Sequence, residues 1–209
     1  IAIGPDLSHR NTQVEAILGA DPVRTAIRAE ATRLEIPLAA AQARARGFAM
    51  EIASDYSYGV VRALELFLRW LWEHLYDGVE VHNLDALLRI APGLGIVYVP
   101  SHRSHIDYLL LSYLIHKNGM TPPHIAAGAN LNMPILGAIL RRGGAFFLRR
   151  SFKGEPLYAA VFHEYLHLML ARGFPIEYFI EGGRSRTGRT LAPKAGILGM
   201  TIASFVRSH

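Results

Sequence analysis

The chain of 209 residues contains no cysteine. Disulfides and cysteine-ligated metals are therefore excluded, and the composition fits a reducing compartment. No window reads as a transmembrane helix. The segment from Asn118 to Leu140 lacks Asp, Glu, Lys and Arg, but Pro122, Pro123, Pro134, Asn130 and Asn132 interrupt it. The first residues do not resemble a signal peptide. Acidic groups are the minority, 17 against 22 Lys and Arg, giving a net charge of +5 and a pI near 9.7. That balance favours an anionic partner: a phosphate metabolite, an acidic protein, anionic lipid or nucleic acid. What is abundant is apolar, 51% of the residues, with a mean hydropathy of +0.19. This leans towards a protein that handles apolar material. One domain, or a domain plus an appendage, is expected at this length. The chain opens at Ile1 and stops at His209 within an apolar run, so we expect a piece of a longer polypeptide.

Up to about residue 90 the pattern is helical. Asp21-Pro22 reads as an N-cap followed by proline in the first turn of a helix running through Arg33. Pro37 opens an alanine-rich helix. From Tyr58 to Tyr76, Val61, Leu64, Leu66, Phe67, Trp70, Leu71 and Leu75 recur at helical spacing. Trp70 and Trp72 read as packing residues rather than a cofactor box. Beyond residue 95, β-rich runs (Ile96 to Val99, Ala145 to Leu148, Ile176 to Ile180) alternate with helix-like stretches (Ser104 to Lys117, Pro156 to Arg172, Pro193 to Val206). The expected fold is α/β, with a mixed, largely parallel sheet flanked by helices and preceded by an N-terminal helical region. We divide the chain into a helical region, 1–90, and an α/β region, 91–209.

The chemistry-bearing residues fall at the predicted strand ends, where open α/β sheets place their ligands. In Val-Pro-Ser-His-Arg-Ser-His-Ile-Asp-Tyr, Val99 to Tyr108, His102 and Asp107 stand five positions apart between a strand and a helix. One reading is structural: Ser104-x-x-Asp107 is a capping-box pattern, with Asp107 serving the helix terminus and His102 an ordinary loop residue. The other is chemical. Residues just before a helix and in its first turn lie close together, so Asp107 can hold one ring nitrogen of His102 and leave the other as an acceptor. The helix N-terminus and the Asp107 charge act on the ring in opposite senses, which suits a general base. No Ser, Cys or Thr in this motif has an evident claim as a covalent nucleophile. His102-x-x-His105-x-Asp107 matches no defensible metal-ligand spacing.

Two cation-rich segments follow. Arg149 and Arg150 close the apolar run Gly144 to Leu148, and adjacent strand residues point to opposite faces, so at most one enters a given site. Glu181-Gly182-Gly183-Arg184-Ser185-Arg186-Thr187-Gly188-Arg189 combines glycines that let backbone N–H groups converge on an anion with guanidinium forks suited to phosphate. Lys194 adds a further positive charge nearby. A rival reading exists: Gly183 to Thr190 spells G-x-x-x-x-G-R-T, like a P-loop with arginine for lysine. Arginine replaces the compact ammonium poorly, however, and Pro193 stands where a P-loop helix should be under way.

Together these residues resemble the bacterial membrane-associated sn-glycerol-3-phosphate 1-O-acyltransferases. The family's His-x-x-x-x-Asp block is similar to His102 to Asp107, its second block to Gly144 to Phe152, and its third to Tyr178 to Gly188 with Pro193-Lys194. The resemblance extends through Pro122 to Asn132, Gly4 to Arg10 and Glu51 to Ser57, covering nearly the whole chain. It implies that His102 is the general base on the sn-1 hydroxyl of glycerol 3-phosphate and Asp107 its orienting partner. It further implies that Phe147 and Arg150 serve the phosphate-bearing substrate, joined by Glu181, Gly182, Arg184 and Ser185. Arg149, Gly183 and Arg186 complete the expected substrate-binding set. The acyl donor would be a thioester on coenzyme A or acyl carrier protein, the product a lysophosphatidic acid, and no metal or cofactor is expected. The implied setting is peripheral, on the cytoplasmic face of the bacterial inner membrane, with the membrane surface and no nucleic acid as partner. A fourth family block, a proline-containing strand, lies beyond the third and is missing. The alternatives are a P-loop-like phosphotransferase using Gly183 to Thr190, or a non-catalytic lipid- or carrier-binding module.

Overall fold

The computed structural model describes residues 9–76, 78–90 and 95–208. The N-terminal part folds into α1 (Arg10–Gly19), α2 (Asp21–Leu34), α3 (Leu38–Ile52), α4 (Tyr58–Leu75) and α5 (Leu84–Ile90). Asp21 is not the cap of α2. Ala20 takes that position in extended backbone, and Asp21-Pro22 form the first turn, where a carboxylate faces the positive helix end and proline has no needed N–H to lose. Pro37 occupies the N-cap of α3, as expected. That helix buries Ala41, Ala45, Ala49 and Ile52, a stripe of small residues on which neighbouring helices can approach closely.

Helix α4 starts and stops where its periodicity predicts, but the covered side is narrower than expected. Only Val61, Leu68 and Trp72 are buried. Trp72 joins a small cluster with Leu68 and Tyr113, whereas Trp70 is 51% exposed and Phe67 54%. Trp72 is thus the packing tryptophan; Trp70 is a surface residue.

The strands β1 (Val97–Tyr98), β2 (His124–Gly128), β3 (Ala145–Leu148) and β4 (Ile176–Glu177) form one sheet in the order β1-β4-β2-β3, with every described pairing parallel. Parallel neighbours need crossovers. These are α6 (Asp107–Lys117), α7 (Leu136–Arg142) and α8 (Pro156–Ala171), and α9 (Gly196–Ser208) follows the last strand. The third β-rich run is shorter as a strand than predicted, pairing only at Ile176 and Glu177, and the chain turns further on at Gly182, where φ is 61°. Strand β2 and helix α7 were not foreseen. His-Ile-Ala-Ala-Gly is poor in β-branched residues, and Leu136–Arg142 is two turns long with an internal glycine.

The two sheet faces carry different loads. Phe146 and Ile176 point into the main core, which runs from Val14 of α1 and Ala45 of α3 through Tyr158, Phe162 and Met169 of α8. Helix α8 is buried on most sides, lying between α1–α3 and the sheet and contacting α9. The opposite face carries Ala127, Ala145 and Phe147. The expected division between residues 90 and 91 falls beside the undescribed residues 91–94.

Buried polar junctions fasten the helical layer to the sheet. Ser54 Oγ lies 3.1 Å from His124 Nδ1 and accepts from the Tyr165 hydroxyl at 3.3 Å. Burial pushes the His124 ring down to about 4, against the effect of a bond to the Gly144 backbone, so the ring is neutral at physiological pH. Arg141 from α7 reaches the end of α3, donating to the carbonyls of Glu51 at 3.0 Å, Ile52 at 3.5 Å and Ala53. A fourth bond joins it to Asn132 Oδ1 at 3.1 Å. These carbonyls are ones a helix C-terminus leaves unsatisfied, so a guanidinium from elsewhere in the chain acts as the cap. Burial lowers Arg141 to about 10, which still leaves it charged. Replacing Arg141 with Met strands those carbonyls without water. We expect Arg141→Met to lower the unfolding free energy by about 3–5 kcal/mol, measured by chemical denaturation of the intact protein.

Candidate active site

Because the strands are parallel, the segments leaving β1, β2, β3 and β4 all emerge at one edge of the sheet. His102 lies in the segment after β1. Its Nδ1 stands 3.2 Å from Asp107 Oδ2, in the first turn of α6. The same carboxylate oxygen accepts the N–H groups of Arg103 at 2.7 Å and Ser104 at 2.8 Å. Ser104 is not the helix cap; Ile106 holds that position, and Ser104 Oγ accepts the Ile106 N–H at 3.2 Å. Capping and chemistry are therefore not rival readings of Asp107: one carboxylate serves both the turn and the imidazole. Burial alone would raise the Asp107 carboxyl, but the Ser104 and Arg103 N–H groups and the His102 ring outweigh it and hold the carboxyl below its usual range. An anionic Asp107 on Nδ1 leaves Nε2 as the basic nitrogen.

The rest of His102 is held by the segment after β4. Phe179 stacks on the imidazole with ring centres 3.9 Å apart and planes 22° from parallel. The His102 N–H donates to Glu181 Oε1 at 3.2 Å, and the His102 carbonyl accepts the Ser185 N–H at 2.8 Å. The other Glu181 oxygen accepts the Leu191 N–H at 2.8 Å. Glu181, expected to bind substrate, is instead buried with both oxygens engaged by backbone. It braces the base. Gly182 adopts positive φ, and the Lys194 side chain packs where a Cβ would stand. Gly183, Arg184 and Arg186 are exposed on the same loop.

The second block divides. Arg149 does not enter the site: its guanidinium forks onto Glu51 at 2.8 and 2.7 Å, meets Glu155 at 2.6 Å, and lies over the Phe48 and Tyr158 rings. These partners raise its basicity, and they fasten β3 to α3. Phe147 is fully buried beneath Arg141, 4.6 Å from ring centre to guanidinium, and is a core residue. Arg150 is exposed at the same edge of the sheet, with β3 three strands from β1, roughly 14 Å at the usual spacing. Residues 4–8 of the upstream block lie outside the described residues.

His102 also stands at the rim of an apolar cavity of about 950 Å³, counting its open mouth. Leu64 and Leu68 of α4, Leu109 and Tyr113 of α6, and Ile125 and Ala127 of β2 supply its walls. It follows α6 from His105, beside the base, to His116, which pairs with Glu65 at 3.3 Å. Within α6 that reaches from the first turn at Asp107 to His116, on the order of 13 Å of helix. A proton acceptor thus borders a long apolar slot. Gly183 to Thr190 does not match a P-loop, because no helix follows Thr190 until α9 begins at Gly196. Among the described residues, no three His, Cys, Asp or Glu side chains are grouped to hold a metal ion.

A family model described as Acyltransferase matches residues 78–207. The chain belongs to the acyltransferase family. It is 60% identical over 207 residues to a protein called glycerol-3-phosphate acyltransferase from Ectopseudomonas mendocina. Proteins of the same name from Pseudomonas putida and Pseudomonas fluorescens are 59% and 58% identical over 206 residues. Each match takes in 99% of this chain and 25% of the relative, so the chain spans about a quarter of their length.

Phe179 and Glu177 were overlooked in the sequence although a signal was present. Alternation along an extended run puts residues 177, 179 and 181 on one side, and all three face this end of the acyltransferase domain. Removing the brace should loosen the base without removing it. In Glu181→Ala, amide hydrogen exchange at His102 and Leu191 is expected to quicken about ten- to hundredfold, from the loss of a charged hydrogen bond at each.

Proposed function

We propose that this chain is part of a glycerol-3-phosphate 1-O-acyltransferase and carries its proton-transfer machinery. The observation that carries the reading is the position of His102, oriented by Asp107 at the mouth of an apolar slot. The slot holds the fatty acyl chain of a thioester on coenzyme A or acyl carrier protein. Glycerol 3-phosphate lies with its phosphate towards Arg184, Arg186 and Arg150, all exposed at the same sheet edge. His102 Nε2 takes the proton of the sn-1 hydroxyl as its oxygen attacks the thioester carbonyl. The tetrahedral intermediate collapses, expelling the thiolate, which receives the proton from the imidazolium; lysophosphatidic acid remains. A thioester is already activated, so alignment and proton removal suffice, without metal or ATP.

The test is kinetic, in the intact protein. His102→Ala is expected to lower kcat by about 10²–10⁴-fold with the fold unchanged. Arg150→Ala is expected to raise KM for glycerol 3-phosphate with a smaller effect on kcat. A His102→Ala variant turning over at close to the parental rate overturns the reading and leaves a binding module.

The same proposal places the chain against the cytoplasmic face of the inner membrane. Support comes from α4, whose outer side exposes Leu66, Phe67 and Trp70 beside Arg62 and Arg69. Aromatic rings flanked by arginines suit the headgroup region of an anionic bilayer. The double substitution Phe67→Ser, Trp70→Ser should reduce flotation of the intact protein with anionic vesicles. Unchanged flotation would dismiss this face as the contact. No helix among the described residues is long and apolar enough to cross a membrane.

A further inference from the structure

One buried acid takes no part in the chemistry described so far. Glu177 is fully buried in β4, and neither carboxyl oxygen has a hydrogen-bond partner among the described residues. Its place is fixed by register. Glu177 pairs with Tyr98 of β1 and with Ile125 of β2, and Ile125 lines the apolar slot. Paired residues of parallel strands share a face, so Glu177 lies beneath the slot and α6 rather than in the main core. The titratable groups around it are Tyr98 from β1 and Asp107 and Tyr108 from α6. No cation is among them.

A carboxylate anion cannot persist there at neutral pH, because taking an unpaired charge out of water costs more than keeping the proton. We propose that Glu177 is a positioning residue held as the neutral acid, leaving Asp107 the one carboxylate on the His102 ring, and that ionisation of Glu177 disables the site. The step rests on the acyl-transfer reading only for its effect on rate. Burial first, and then the Asp107 anion, push the Glu177 carboxyl up to about 8. Burial also raises the Tyr98 and Tyr108 phenols, with acidic neighbours adding to it, so both stay protonated there. Once ionised, Glu177 adds a further negative charge under the base. Both the substrate phosphate and the oxyanion forming on the thioester carbonyl are then disfavoured.

The sign of the stability effect follows. The folded carboxyl binds its proton more tightly than an unfolded glutamate, which titrates near about 4.3. Keeping the Glu177 proton therefore costs the fold nothing below that pH, a growing amount as the pH rises towards 8, and a constant amount above. Glu177→Gln mimics the protonated form and cannot ionise. In the intact protein, the melting-temperature gain of Glu177→Gln over the parent should be smallest at pH 5 and widen to a plateau above pH 8. The acyl-transfer rate of the parent should fall tenfold for each pH unit above 8, and Glu177→Gln should shift that limb to higher pH. Glu177→Asp should keep the limb. Infrared difference spectra of the parent between pH 7 and 9 should show a protonated carboxyl being lost, a readout that needs neither turnover nor a folded variant. Parallel melting curves across pH, or no titrating carboxyl in the infrared, overturn the proposal. A widening stability gap without any acyl transfer would instead leave the buried acid standing and reject the acyltransferase reading.

Discussion

The site depends on how the backbone of His102 is held. A short segment leaving an edge strand would ordinarily be free to reposition its imidazole. Here the amide of His102 is bonded to Glu181 and its carbonyl to the Ser185 N–H, both from the segment after β4. Phe179 covers the ring and Asp107 fixes its rotation. Two loops separated by about eighty residues of chain are thereby joined across adjacent parallel strands. Precise placement of a base needs this kind of support, since small displacements from attack geometry are costly in rate.

The sheet divides labour between its faces. Large aromatic and aliphatic side chains on one side, against α8 and the N-terminal helices, form the main core. Smaller residues on the other side, Ala127 and Ala145 among them, leave room for the slot beneath α4 and α6. Helices α1–α3 thus support the candidate site at a distance. They bury the underside of the sheet, and through Glu51, Ser54 and the Arg141 cap they fix β2, β3 and α7.

Much of this was legible in the sequence, for identifiable reasons. Alternation of β-rich and helical runs gave the α/β layer, and a base with a carboxylate five residues on gave the dyad, because both are local signals. Long-range partners were hidden. Nothing near Arg149 announces that Glu51, 98 residues away, will take its guanidinium, and nothing near Glu181 announces that backbone N–H groups will consume its carboxylate. Periodicity located α4 but not its covered side, since Leu66, Phe67 and Trp70 fit the same repeat as the buried Leu68 and Trp72 only loosely. Strand β2 was invisible because alanine and glycine carry little strand signal, and they stand there to make space rather than to pack.

The neutral histidine at the junction between helices and sheet has a wider consequence. A ring that gains its proton only in strong acid presents the same dipole to Ser54 at every pH a living cell meets. This junction of helices and sheet is therefore indifferent to acidity. The response to proton concentration then falls to groups on the other face of the sheet, Glu177 of β4 among them, and leaves this fastening untouched.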